Sequence, residues 1–302
     1  MLLHRVIDLW PICHILATIV VMGLVATLPL WIAIPLLLVS STMAGVCVAI
    51  AHNHTHAPMF RWQPLNVVTD LVLQQVTGFP ALGWKSHHLR SHHQSPWTDR
   101  DFSSPYSFQG ADRPLSPVSM NYFQLTYMPL FWCDSLTFFL RRAKRSELIR
   151  LAASLAVFAT VHVLIISWIG IWRWLLLFVP TYAFCGKSLG SDNYLQHWAC
   201  EDQEDPESPF EAWTFTCPFY NALTFNQGYH SLHHHRPSLH WSDLAKSHRL
   251  DSSYTRPQLI EDGLFPGFRG GAGLKKWLEQ TALQPVGPPE PIPAEVKASQ
   301  QA

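Results

Sequence analysis

Twelve of the seventeen histidines in this 302-residue chain fall into three clusters and one outlier. The clusters are HNHTH (His52, His54, His56), HHLRSHH (His87, His88, His92, His93) and HSLHHH (His230, His233, His234, His235), and the outlier is His197 in DNYLQHW. Neutral imidazole is a good ligand for iron, zinc and copper, so a set this large points to one polynuclear metal site. Residues three or four apart share a helix face. His52 and His56, His88 and His92, and His230 and His233 have that spacing. Adjacent histidines such as His92 and His93 diverge by about 100° on a helix and can serve two ions. His54 then points away from its neighbours, as a supporting or surface residue. A His-rich tract that merely sequesters metal is the alternative. It fails on pattern, because the clusters are far apart, keep helical spacings and sit in Trp- and Pro-containing sequence. The isolated His4, His14 and His162 read as hydrogen-bonded structural residues, and His240 and His248 as ordinary polar positions.

Each cluster lies beside a hydrophobic run, and four runs are long enough, at about 20 residues, to cross a bilayer. They cover Leu9 to Leu28, Trp31 to Ile50, Ile149 to Ile169 and Trp172 to Leu189. Pro29 and Leu30 separate the first pair, and Gly170 the second, which predicts two helical hairpins. Trp31, Trp168, Trp172 and Trp174 stand at span ends, where amphipathic rings favour the interface. A signal peptide is a poor reading of the first run, since its flank is weakly charged and no small-residue cleavage site follows. Pro64 to Trp84 is apolar but holds Asp70, Gln74 and Gln75, which predicts an interfacial or re-entrant helix. Tyr122 to Leu140 reads as a membrane-surface helix, because Asp134 near a bilayer centre would cost about 2.5–3.5 kcal/mol. The tail from Gln284 is proline-rich and polar, hence disordered. The expected division is a catalytic domain over 1–280 and a Pro-rich tail over 281–302.

Two hairpins place both termini and all the histidine clusters on one side. Arg141, Arg142, Lys144 and Arg145 precede the third run while the hairpin turns carry almost no cations, so positive-inside makes that side cytoplasmic. The expectation is a multi-pass protein of a bacterial inner membrane. Composition agrees: 48% of residues are hydrophobic and 14% charged, against about 25% charged in soluble domains. A formal net charge of zero argues against nucleic acid as a partner. The six cysteines are scattered without a C-x-x-C pair, so neither a disulfide framework nor a cysteine-ligated metal site is supported.

The series H-x-x-x-H, H-x-x-x-H-H and H-x-x-H-H, interleaved with apolar spans, resembles the membrane fatty acid desaturase superfamily, which also includes alkane hydroxylases, carotenoid ketolases and sphingolipid desaturases. NQGYHSLHHHRPSLHW, from Asn226 to Trp241, is similar to the desaturase pattern N-x-G-Y-H-x-x-H-H-x-x-P-x-x-x-W. The resemblance spans about residues 40 to 250. It implies an all-α integral membrane fold: four transmembrane helices in two hairpins, interfacial helices and a cytoplasmic di-iron histidine cap. It further implies that His52, His56, His88, His92, His93, His197, His230, His233 and His234 hold two iron ions. Asn193 stands four residues before His197, and in related acyl-CoA desaturases an asparagine at that offset holds a metal-bound water. The extra His54, His87 and His235 depart from the usual pattern and leave each register open by one residue.

The activity this resemblance implies is O2-dependent desaturation of an acyl chain. Hydroxylation, ketolation or terminal-alkene-forming decarboxylation on the same scaffold is the alternative, because the ligand set hardly separates those outcomes. Trp132, Phe138 and Phe139 are candidates for an acyl tunnel or for plain lipid contact. The chain has no H-P-G-G, no Gly-rich dinucleotide fingerprint and no iron–sulfur cysteine pattern, so electrons must come from a separate donor such as a ferredoxin. A metal transporter would need ionisable residues along its spans, which hold few beyond His14 and His162. A zinc hydrolase would need H-E-x-x-H, which is absent.

Overall fold

The structure is a computed structural model that describes residues 2–94, 133, 136, 137, 139–141, 143–197, 212–255, 259–263 and 266. The expected surface helix at 122–140, apart from Phe139 and a few neighbours, and the tail from residue 284 lie outside the described residues, as do Trp132, Phe138, Arg142 and Cys200.

Helix α1 (Leu9–Thr27) follows a single 3-10 turn at Val6–Asp8 and is apolar on all sides. Helix α2 (Leu30–His56) starts immediately after Pro29 and packs along α1. It runs six residues beyond the expected end of its apolar run, at about 1.5 Å per residue. The same rod that carries the apolar segment therefore carries the first histidine cluster. The expected single helix at Pro64 to Trp84 is two helices, α3 (Gln63–Thr77) and α4 (Ala81–His87). The break has a physical cause. Gly78 sits at φ +76°, where a Cβ would also come within 2.7 Å of the Tyr182 ring, and Pro80 cannot continue a helix hydrogen-bond ladder.

Gln74, buried in this apolar stretch, is fully used. Its Nε2 donates to the Ser154 carbonyl (3.1 Å), while Oε1 accepts from the Ser154 hydroxyl (2.6 Å) and the Ala81 N–H (3.1 Å). The amide thus joins α3, the start of α4 and α5 (Arg145–Ile169). Helix α6 (Ile171–His197) follows the Gly170 turn, and packs on α2. Its Trp174 donates to Nδ1 of His162 (3.0 Å), so Nε2 of that ring must carry the proton toward the Tyr182 oxygen, 2.9 Å away. Tyr182 in turn donates to the Gln75 carbonyl (2.7 Å). His162 is thus a hydrogen-bonded structural residue, and the chain of bonds fixes the α3 terminus against α5 and α6.

Three helical segments are long and apolar enough to cross a membrane among the described residues: Val6–Thr27, Leu30–His56 and Arg145–Ile169. Helix α6 is as long as α2 but carries Arg173, Lys187 and Asp192, and falls short of the same hydropathy. Arg173 donates to the Val25 and Leu28 carbonyls at the end of α1, a use for a cation at a helix C-terminus. The C-terminal part holds α7 (Pro218–Thr224), α8 (His230–His235) and α9 (Trp241–Leu250). A short parallel pair, β1 (Thr214–Phe215) with β2 (Ile260–Glu261), closes it.

Candidate metal centre

The first cluster rides on the last turns of α2. His52 is buried, and its Nδ1 faces Oδ1 of Asn53 at 3.3 Å. An amide oxygen only accepts, so Nδ1 carries the proton and Nε2 presents a bare lone pair. That Nε2 is buried with no hydrogen-bond partner among the described residues. His54 is turned away. Its Nδ1 accepts the Met59 N–H (3.2 Å) and its Nε2 lies 3.4 Å from the Asn66 carbonyl. Both ring nitrogens therefore serve the turn that leads into α3.

The second cluster departs from the helical spacing expected for it. Residues His88–His92 form a π turn, and the His93 N–H bonds the His88 carbonyl at 3.0 Å. One extra residue in the turn brings His88 and His93, rather than His88 and His92, to one side. Their Nε2 atoms are 3.2 Å apart. Trp84 stacks on His88, with centroids 4.7 Å apart and planes at 18°.

The third cluster is launched by a tight corner. Phe225 and Asn226 both take left-handed backbone angles (φ +52° and +63°). At Gly228 a Cβ would fall 2.3 Å from the Phe215 carbonyl oxygen, so only glycine permits this approach. Asn221 bridges the gap: Nδ2 donates to the Phe215 and Cys217 carbonyls (2.7 and 3.1 Å), and Oδ1 accepts the Gly228 N–H (3.0 Å). Asn226 donates to the Trp241 carbonyl (3.0 Å). These bonds give physical content to the N-x-G-Y-H…W pattern. On α8 the rings that converge are His230 and His234, with Nε2 atoms 2.9 Å apart, and not His230 and His233 as their spacing suggested.

Nine histidines meet in two adjoining groups. His52, His56, His88, His93 and His233 form one, and His92, His197, His230 and His234 the other; within each, the ligand atoms lie within 4.8 Å of one another. The groups abut, with His93 and His234 stacked at 4.5 Å and His52 and His230 at 6.4 Å between centroids. The adjacent His92 and His93 do face different groups. His87 is buried and His235 packs on Tyr254 at 5.1 Å, and neither joins a group. His240 and His248, read from the sequence as ordinary polar positions, are both buried.

The donor set fits metal ions. Nitrogens bonded to one ion at about 2.1 Å must lie roughly 3 Å apart, and Nε2–Nε2 separations of 2.8 Å (His56–His88) and 2.9 Å (His197–His230) match. Burial first, and neighbouring imidazoles second, hold His88, His230, His233 and His234 well below the usual imidazole range. Neutral rings are the metal-binding form. A cavity of about 10 Å³ is lined by His52 and His230, one from each group, together with Val48, Trp84, Asp192 and Asn193. A space of that size holds about one water. Asn193 therefore stands in one cavity with a histidine of each group. Sequence reasoning missed Asn53 and Asn221, although both sit inside or just before histidine motifs, where a small amide most readily orients a ring or a backbone corner.

No curated protein and no solved structure matches the chain. The family model described as fatty acid desaturase matches residues 28–260. That stretch includes all nine clustered histidines and well over half of the sequence, and the chain belongs to the fatty acid desaturase family.

Proposed function

We propose that this protein is a membrane di-iron oxidase that desaturates an acyl chain at the expense of dioxygen. One observation carries the reading: nine histidines, six buried and three partly buried, gathered into two adjoining groups of five and four. His52, His56, His88, His93 and His233 would hold one iron, and His92, His197, His230 and His234 the other. Two irons, when bound, supply the dioxygen activation that an unactivated methylene pair requires. The balance is one –CH2–CH2– unit, O2, two electrons and two protons giving –CH=CH– and two waters.

The chain's own residues orient, enclose and exclude. Asn53 fixes the His52 tautomer, and Trp84 backs His88. Val48, Leu189 and Trp84 give the cavity an apolar wall beside the amides of Asn193, Gln196 and Gln227. Asn193 is suited to hold a water there. Helix α6 would act as a fourth span, pairing with α5 as α1 pairs with α2, which puts the histidine cap and both termini at the cytoplasmic face of a bacterial inner membrane. The substrate is an acyl lipid or thioester reached from the bilayer, and electrons arrive from a separate donor such as a ferredoxin.

The test is expression in a bacterium beside a His230→Ala variant, with fatty acid profiling. New double bonds that vanish in the variant support desaturation. Hydroxylated or shortened products in their place would move the assignment to a sister oxidation.

A further inference from the structure

The N-terminal residues form a strap that joins the segment after the first histidine cluster to the segment after the third. Leu3 pairs with Phe60 as an antiparallel bridge, His4 N–H bonds the Met59 carbonyl (3.0 Å), and Arg61 N–H bonds the Leu2 carbonyl (3.0 Å). These contacts sit just after the first histidine cluster. At its other end the strap meets α9, just after the third cluster. Arg5 pairs with Asp243 at 2.6 Å, and Asp8 is fully buried.

Asp8 is the junction. Its Oδ1 faces Nε2 of His240 at 3.0 Å and accepts the Trp241 indole N–H at 3.2 Å. Nδ1 of His240 accepts the Ser242 N–H (3.3 Å), so the Nε2 proton points at the carboxylate. The other oxygen, Oδ2, is buried with no hydrogen-bond partner among the described residues. A buried, half-satisfied carboxylate is costly, and here it holds two successive residues, His240 and Trp241.

From Trp241 two routes lead to the clustered histidines. Its carbonyl accepts Asn226 Nδ2 (3.0 Å), and Asn226 lies in the left-handed corner that launches His230. Its ring packs edge-on against Phe225 (5.3 Å, 86°). The Phe225 carbonyl accepts Asn53 Nδ2 (3.1 Å), and Asn53 Oδ1 holds the His52 proton. A single carboxylate thus supports one histidine of each group.

We propose that Asp8 is a positioning residue for the metal centre, acting through Trp241 on His230 and, by way of Phe225 and Asn53, on His52. The inference rests on the reading of the nine histidines as metal ligands. Outer residues that orient ligands typically contribute about 10–100-fold in metal affinity.

The full chain is purified in detergent as wild type, Asp8→Asn, Asp8→Ala and Trp241→Phe, and loaded with cobalt(II) as the probe. Asp8→Ala should lose cobalt to a chelator at least about tenfold faster and show an altered cobalt d–d absorption spectrum. Asp8→Asn keeps the accepting Oδ1 and should stay within about threefold of wild type. Trp241→Phe keeps the ring contact but not the N–H, and should fall between them. Should Asp8→Ala not fold, the order Asp8→Asn slower than Trp241→Phe decides. Equal rates and identical spectra in all four proteins would overturn the proposal, as would Asp8→Asn behaving like Asp8→Ala.

Amide hydrogen exchange on the metal-free proteins gives a second reading. Asp8→Ala or Trp241→Phe should speed exchange at 226–235 and at 50–56 and leave 150–169 unchanged. Uniform acceleration, or none, sinks the idea. If wild type binds no cobalt, the metal reading of the centre has failed, while the exchange pattern still decides whether Asp8 supports both clusters.

Discussion

Asn53 Oδ1 lies 3.3 Å from Nδ1 of its neighbour His52, while Nδ2 of the same amide reaches across to the Phe225 carbonyl at 3.1 Å. One amide thus sets the tautomer of a histidine in the first cluster and holds the corner that launches the third. Asn53→Ala removes both roles and leaves a buried carbonyl unsatisfied. Metal affinity should fall about 10–100-fold, read as iron per chain after dialysis against a graded chelator series. Asn53→Asp keeps the acceptor but not the donor, and should recover only part of the loss.

The π turn makes a second expectation concrete. Deleting Ser91 shortens the turn by one residue and rotates His92 and His93 by about 100° away from their groups. Iron content should fall in both groups together, to less than about half of the wild-type value. An Ala replacement at Ser91, which keeps the count, should retain far more. Elemental analysis of the two purified proteins distinguishes count from chemistry.

Single replacements should separate the two groups. His233→Ala takes a donor from the five-histidine group and His197→Ala from the four-histidine group. Each should weaken one ion by about 10–100-fold and the other much less. Cobalt titration of the two variants should show one tight and one weakened site, with different spectra. Equal weakening of both sites would mean that the groups act as one.

Metal-free protein should lose stability as pH falls below the ordinary imidazole value of 6.5. The sign follows from linkage. In the folded state His88, His230, His233 and His234 stay neutral because burial holds them well below 6.5, whereas in the unfolded chain they take up protons as soon as pH drops past it. The unfolded state then binds more protons, so stability rises with pH through that window, by up to about 1.4 kcal/mol per pH unit for each such ring. Thermal melts of the metal-free protein between roughly pH 7.5 and 5 should show a steady downward shift, and iron should blunt it.

Gly228→Ala should cost about 1–3 kcal/mol, since its Cβ would press on the Phe215 carbonyl and the Asn221 amide. Gly23→Ala, in helix α1 with nothing within 4 Å of the new methyl, should instead stabilise by about 0.5–1 kcal/mol. Opposite shifts in melting temperature are the expected result.

Much of this architecture was legible in the residues. Long apolar runs with few charges marked α1, α2 and α5, and imidazoles at short spacing marked the members of the centre. Their pairing was not legible, because an i-to-i+5 bond at His88–His93 leaves no signature in composition or hydropathy. The break between α3 and α4 was hidden for a related reason. Gly78 and Pro80 hinted at it, but the requirement for glycine comes from the Tyr182 ring, about a hundred residues later in the chain. Asp8 carried no mark of its role in the sequence. Its bond to His240 spans 232 positions, which no local pattern carries.

Both histidine groups draw on chain segments made at very different times. When synthesis has passed His93, the first group still lacks His233, and the second has only His92. Until Tyr229 is threaded and α8 winds, neither constellation is complete. On the di-iron proposal, metal loading would therefore follow translation of both halves of the ligand set. A chain stalled or clipped before residue 230 carries an opened, incomplete ligand set, and so no finished centre to turn on the lipid around it.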